Sequence, residues 1–201
     1  LLQLGYERMV PTEFRDAEEE DISGELRRHI RQLLYDEQPA NWMKHYDLHN
    51  EDPEDETCHA GQAKVRRGKD RPVIDLRFVS SRTRPRKRFC IEAKRLYRGD
   101  SVAQYVGHSG MGCFLDGTYA KGDTDAGMLG FVQRGKPEDW LEKIGAKVEA
   151  MESAEMLSSG RRWEPLSFRN GPCRGGHSRH RRLGPGGPVD VFHSLLPFCR
   201  E

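Results

Sequence analysis

The chain has 201 residues, of which 35% are hydrophobic and 32% charged, with a formal net charge of +1. No apolar run approaches the roughly 20 residues needed to cross a bilayer, and no basic region followed by an apolar core opens the chain, so a soluble, cytoplasmic protein without a membrane partner is expected. Five unpatterned cysteines, Cys58, Cys90, Cys113, Cys173 and Cys199, with no Cys-x-x-Cys pair, argue against a disulfide framework.

The small net charge conceals segregation. Residues 1–60 are acidic, with Glu18, Glu19, Glu20 and Asp21 in succession, whereas residues 64–98 carry fourteen Lys or Arg residues and a second basic cluster spans Arg174 to Arg182. Blocks of this kind create local fields whatever the total charge. The economical reading is phosphate binding, since such clusters supply the sequence-independent part of nucleic-acid affinity. Pairing of the acidic third with the basic middle is the alternative.

In chain order, Ile22, Leu26, Ile30, Leu33 and Leu34 recur at helical steps and predict a helix from about Glu18 to Tyr35, ended before Pro39. Residues 47–61, rich in Asp, Glu and Pro, read as an exposed loop. His45 and His49 beside Cys58 and His59 match no structural zinc spacing. Strands are expected at about 62–67, 72–79 and 87–94. Between the last two, Ser80 to Arg86 forms a polar, basic hairpin tip; Arg82, Arg84, Arg86, Lys87 and Arg88 could reach a phosphate backbone, as could Arg179, Arg181 and Arg182 further on.

A short helix is expected around Ser101 to His108. The glycine-punctuated stretches 110–119 and 126–132 lack any GxGxxG or Walker A spacing, and close backbone packing beside a sheet explains their glycines. A second long helix runs from about Pro137 to Glu152, with Pro137, Glu138 and Asp139 in its first turn and Trp140, Ile144, Val148 and Met151 as its inward stripe. Residues 171–188, rich in Gly, Arg and His, read as a mobile basic loop in which His177 and His180 meet solvent or phosphate. A terminal strand follows at Val189 to Phe198. His180 and His193 could serve as general bases in principle.

The chemistry concentrates between Asp75 and Lys94. Side chains alternate along a strand, so Glu92 and Lys94 share one face while Ile91 and Ala93 share the other. Ile74, Leu76 and Phe78 are read as inward, and Asp75 as outward with Arg77. Two adjacent strands of this kind bring Asp75 and Glu92 together. Carboxylates and a backbone carbonyl are ligands for a hard divalent cation, and Lys94 can orient water or steady charge developing on phosphorus.

Asp75, followed by Glu92-x-Lys94, resembles the signature of the PD-(D/E)xK, or restriction-endonuclease-like, nuclease superfamily. The resemblance implies an α/β fold with a central mixed β-sheet flanked by helices, its core at about 18–132 within a single domain 1–201 and residues 133–201 an extension. It also implies a magnesium-dependent endonuclease, with Mn²⁺ as a substitute, acting on DNA rather than RNA in restriction or anti-phage defence; a sensor or ATPase partner and a homo-oligomer are compatible with that setting. Asp75 and Glu92 would hold Mg²⁺, an acidic residue of the N-terminal helix, Glu20 or Glu25, would join them, and Gln104 would stand near Lys94. One departure is that the proline is Pro72, three residues before Asp75. The alternative is a catalytically inactive nucleic-acid-binding or adaptor protein on the same fold.

Overall fold

The computed structural model describes residues 1–35, 39–50, 74–151, 163–166, 171–182 and 187–199. The expected strand at 62–67, Cys58, His59 and the basic residues Arg66, Arg67, Lys69 and Arg71 lie outside them. The described strands are β1 (Tyr46–Asn50), β2 (Leu76–Ser80), β3 (Arg88–Leu96), β4 (Asp125–Val132), β5 (Trp163–Leu166), β6 (Arg174–His180) and β7 (Val189–Pro197). The helices are α1 (Leu2–Tyr6), α2 (Glu19–Tyr35), α3 (Ser101–Val106), α4 (Gly112–Leu115) and α5 (Pro137–Glu149). Together they form an α/β structure around one mixed seven-stranded sheet in the order β1-β2-β3-β4-β7-β6-β5. Strands β3, β4 and β7 are mutually parallel, and the outer pairs are antiparallel.

Both faces of the sheet are covered, which explains why the central strand β4 is buried along nearly its whole length. Helix α2 lays Ile22, Leu26, Ile30 and Leu34 against Leu76, Phe78, Ile91, Ala93, Leu129 and Phe131. The opposite face, with Cys90, Leu96, Met128, Val132, Val191 and Leu195, packs against Tyr105 and Val106 of α3, Phe114 and Leu115 of α4, and Trp140, Ile144 and Val148 of α5. Ile74 joins this second cluster rather than following Leu76 and Phe78, because the chain bends at Asp75 before β2 begins. No helix among the described residues is long and apolar enough to cross a membrane.

Two stretches expected as loops are strands. Residues 47–50 belong to β1, which pairs antiparallel with β2. Residues 174–180 of the supposed basic loop form β6, wedged between β5 and β7. Gly176 is what makes this possible. A Cβ on Gly176 would meet the Trp163 ring at 2.3, 2.5 and 2.8 Å, so the indole lies directly on the bare backbone. Trp163 in turn packs at a tilt against His193, centroid to centroid 4.8 Å and 55° between planes.

His193 and His180 are fully buried within this region. Ser178 Oγ lies 2.9 Å from His193 Nε2 and 2.7 Å from His180 Nε2, and the Tyr105 hydroxyl lies 3.2 Å from His193 Nδ1. Burial, reinforced by His180 and His177, holds the His193 pKa well below the ordinary value, so the ring is a neutral core group. His177, also expected to meet solvent or phosphate, bonds Asp190 at 2.8 Å. We predict that Gly176→Ala lowers unfolding stability by about 1–3 kcal/mol, the usual cost of forcing a methyl group into a packed contact, read as a lower urea midpoint at unchanged m-value.

Candidate active site

The β2–β3 ladder ends where Leu76 pairs with Ile91, and one further step of that register sets Asp75 opposite Glu92. Strand β3 continues to Leu96. Its backbone N–H groups at Ala93 and Arg95, which face the vacated side, find carboxylates instead of a strand. Ala93 N–H donates to Asp75 Oδ2 at 2.7 Å, and Arg95 N–H donates to Glu19 Oε2 at 3.2 Å.

Lys94 ties these acids together. Its ammonium donates to Glu92 Oε1 at 2.8 Å, to Glu19 Oε1 at 3.0 Å and to the Ala93 carbonyl at 2.7 Å. The third carboxylate is therefore Glu19, the first residue of α2, and not either residue expected on that helix. Glu20 is exposed. Glu25 pairs with Arg28 and His29 on the helix surface, its pKa lowered chiefly by the hydrogen bond from Arg28.

Glu19 is carried to the site by an anchored segment. Gln133, 2% exposed, donates through Nε2 to the carbonyls of Phe14 and Ala17, at 3.0 and 2.8 Å. Arg95 adds a bond to the Ala17 carbonyl at 3.1 Å and an ion pair with Glu18 at 2.6 Å. The sequence holds a signal for this. Glu19 lies three residues before Ile22 and so extends the sheet-facing stripe of α2, whereas Glu20 is turned about 100° from it.

Burial dominates the electrostatics. Glu92 is 7% exposed, and its Oε2 has no hydrogen-bond partner among the described residues. Desolvation, then repulsion from Asp75, push its pKa up to about 7 against the opposing pull of Lys94. Desolvation likewise raises Asp75 to about 6, opposed by the Ala93 hydrogen bond and Lys94. For Lys94 burial acts downward, but Glu92 and Glu19 outweigh it and the pKa is raised. Three carboxylates around one ammonium leave an excess of negative charge when all are ionised. Cys113, close enough to feel Glu92 and Lys94, borders the site as a thiol whose pKa burial lifts to about 11.

Among the described residues no three His, Cys, Asp or Glu side chains form a ready metal cluster. The donor chemistry nonetheless fits a hard cation: Asp75, Glu92 and Glu19 supply carboxylate oxygens, Ala93 a carbonyl, and Glu92 Oε2 is a buried oxygen with no hydrogen-bond partner among the described residues.

The other expected residues are distributed elsewhere. Gln104 is exposed and bonds Asp100 at 3.1 Å, away from Lys94. Arg82, Arg84, Arg86 and Lys87 are exposed in the 81–87 loop, and Arg181 is exposed beyond β6. Arg88 pairs with Asp123 at 3.4 Å, and Arg179 stands 3.9 Å from Asp190. Arg182, expected on phosphate, is 5% exposed and binds the carbonyls of Phe114, Ala120 and Asp123 at 2.5, 2.8 and 2.5 Å, so it is a structural clamp. Comparison with protein-family models, curated proteins and solved structures finds no match.

The raised carboxyl pKa values make stability depend on pH in a defined direction. A carboxyl group with a higher pKa in the folded state stabilises the fold at low pH, and that contribution is lost as pH rises through the folded value. For Glu92 the window runs from its ordinary value of 4.5 to about 7. Glu92→Gln should therefore flatten the decline in unfolding free energy between pH 5 and pH 8, by on the order of 1–3 kcal/mol, as measured by urea denaturation across that range.

Proposed function

We propose that this protein is a metal-dependent nuclease that hydrolyses phosphodiester bonds, in DNA by preference, with a restriction-endonuclease-like core. The observation that carries the reading is the convergence of Asp75, Glu92, Glu19 and Lys94 at the open edge of β3. Buried, like-charged carboxylates with raised pKa values are unfavourable for stability alone and are characteristic of functional sites.

Asp75, Glu92 and the Ala93 carbonyl would hold the cation, with Glu19 completing the set. A bound Mg²⁺ would supply Lewis-acid charge at the phosphate. The residues themselves do the rest. Lys94, fixed by its acidic neighbours and largely withdrawn from water, orients the attacking water and stabilises the negative charge that develops on the phosphoryl oxygens. Asp75 and Glu92 must be ionised to receive a cation, so cation affinity rises as pH passes from about 6 to about 8, above the values near 6 and 7 that burial imposes on them. Restriction or anti-phage defence is the setting that suits such an enzyme.

A second reading has its own support. Asp75 and Glu19 satisfy the backbone N–H groups of Ala93 and Arg95, a structural role that needs no catalysis. On that reading the protein binds nucleic acid without cutting it. The two separate in one experiment. Supercoiled plasmid incubated with Mg²⁺ should be nicked or linearised, EDTA should stop the reaction, and Lys94→Ala should slow it by about 10²- to 10³-fold, the usual cost of removing one transition-state donor. In parallel, Mg²⁺ should raise the melting temperature of the wild type but not of Asp75→Asn. Intact plasmid together with no thermal shift would leave the binding-only reading.

A further inference from the structure

At the other end of β3, on the face that α2 covers elsewhere, lies a groove of about 440 Å³ whose described lining comes wholly from strands and the 81–87 loop. The volume falls in the range of sites that seat small organic groups. Its floor is aromatic. Phe78 and Phe89 stand directly opposite each other in the β2–β3 ladder. The Phe89 ring then lies across β4, where a Cβ on Gly127 would meet it at 3.0 and 3.2 Å. Beyond Gly127, its partner in register, Phe192 of β7, receives the row with ring centroids 6.1 Å from Phe89. His177 of β6 stacks on Phe192 at 5.0 Å and 35°. At the far edge Tyr46 closes the groove, and Trp42, 41% exposed, stands edge-on against it at 6.2 Å.

The rim is cationic. Arg82 and Lys87 line the groove, and Arg84 and Arg86 are exposed in the same loop. One acid, Asp125, also lines it, with its Oδ2 accepting from Thr124 Oγ1 at 2.6 Å. Aromatic faces set in a sheet beside a fringe of long basic side chains match single-stranded nucleic acid, whose bases stack on rings and whose phosphates follow positive charge. A duplex keeps its bases stacked on one another and has no use for such a floor.

We infer that this groove is a stacking platform for single-stranded nucleic acid, separate from the carboxylate site. Lys94 lies five residue steps along the strand from Phe89, about 17 Å at the usual rise, and the two side chains project from opposite faces. Binding here is independent of the hydrolytic reading because it needs neither a cation nor Lys94.

The test is fluorescence anisotropy in EDTA, with labelled oligonucleotides of about 20 units, long enough to exceed the site size of one binding fold, in three forms: an oligo-thymidine strand, the matching duplex, and an abasic strand carrying the same phosphates without bases. The thymidine strand should bind at least about ten-fold more tightly than either alternative, as stacking of one base would give. Phe192→Leu, which keeps an apolar side chain but removes the ring, should weaken it about 5- to 150-fold, the value of one stacked base. Trp42→Ala should also weaken binding, and its exposed position keeps the test available if the Phe192 variant fails to fold. Replacing Arg84, Arg86 and Lys87 by Gln should flatten the salt dependence by about 0.7 in log–log slope for each phosphate no longer neutralised. Equal binding of the abasic strand would reduce the groove to a charge effect and overturn the proposal. So would preference for the duplex, or binding of a poly-glutamate peptide in place of the thymidine strand, which would mark the loop as a surface for an acidic protein.

Discussion

The structure turns on the edge of β3 beyond Ile91, where a strand continues after its neighbour has left. Buried backbone donors must find acceptors. Water would serve at an exposed edge, but here the donors of Ala93 and Arg95 are met by two carboxylates, Asp75 and Glu19. The substitution satisfies the hydrogen bonds and creates an electrostatic difficulty. Glu92, already on the strand, adds a third acid next to them, and Lys94 alone does not balance the set; burial displaces the Asp75 and Glu92 pKa values upward, and repulsion from Asp75 adds to it for Glu92. Neutral side chains would cap the same edge at lower cost, because burying an ion is unfavourable even when it is paired.

That cluster is held by buried, hydrogen-bonded parts of the fold. The acidic segment before α2 is pinned through Gln133 and Arg95 to the ends of β3 and β4, and α2 is fixed by its stripe on the apolar face of the same strands. Glu19 thus arrives at a set position relative to Lys94, although 75 residues separate them in sequence. Constellations supported on strands and on a packed helix keep their geometry better than those on loops. The same rigidity extends sideways. Met128 and His193 follow Glu92 across the sheet in register, and the neutral His193 network with Ser178 and Tyr105 forms a buried wall beyond the charged cluster.

How much of this is legible in the sequence varies with the kind of signal. Strand alternation is enough to place Glu92 with Lys94 and to bring Asp75 opposite, because parity and antiparallel pairing are local facts. The α2 helix is equally plain from its apolar spacing. The helix acid escapes a search among Glu20 and Glu25, because the residue that reaches the sheet, Glu19, lies on the extension of the apolar stripe itself. Strand β6 is hidden for a different reason. Gly175 and Gly176 weaken strand propensity, but the condition that demands glycine at 176 is a tryptophan on β5, which local composition does not contain. Arg182 shows the limit of charge counting, since a guanidinium that closes three carbonyls inside the fold is indistinguishable by composition from one that faces phosphate.

The opposed polarity of the two ends of the sheet gives the charge segregation a physical meaning. Ionised Asp75, Glu92 and Glu19 repel a phosphate backbone, and Lys94 is committed to them, so the carboxylate end has little attraction for nucleic acid by itself. The exposed arginines and lysine of the 81–87 loop sit at the start of β3, outside the reach of that repulsion, because a separation of about 17 Å exceeds the screening length of about 8 Å at physiological salt. On the proposed reading, attraction and chemistry are therefore assigned to different ends and different faces of one strand. On the hydrolytic reading a polyanion is first gathered by the loop, and the carboxylate end becomes hospitable to phosphate only when a cation reverses its local charge. On that reading the order of events, capture before cation-dependent engagement, follows from the polarity and not from any single residue.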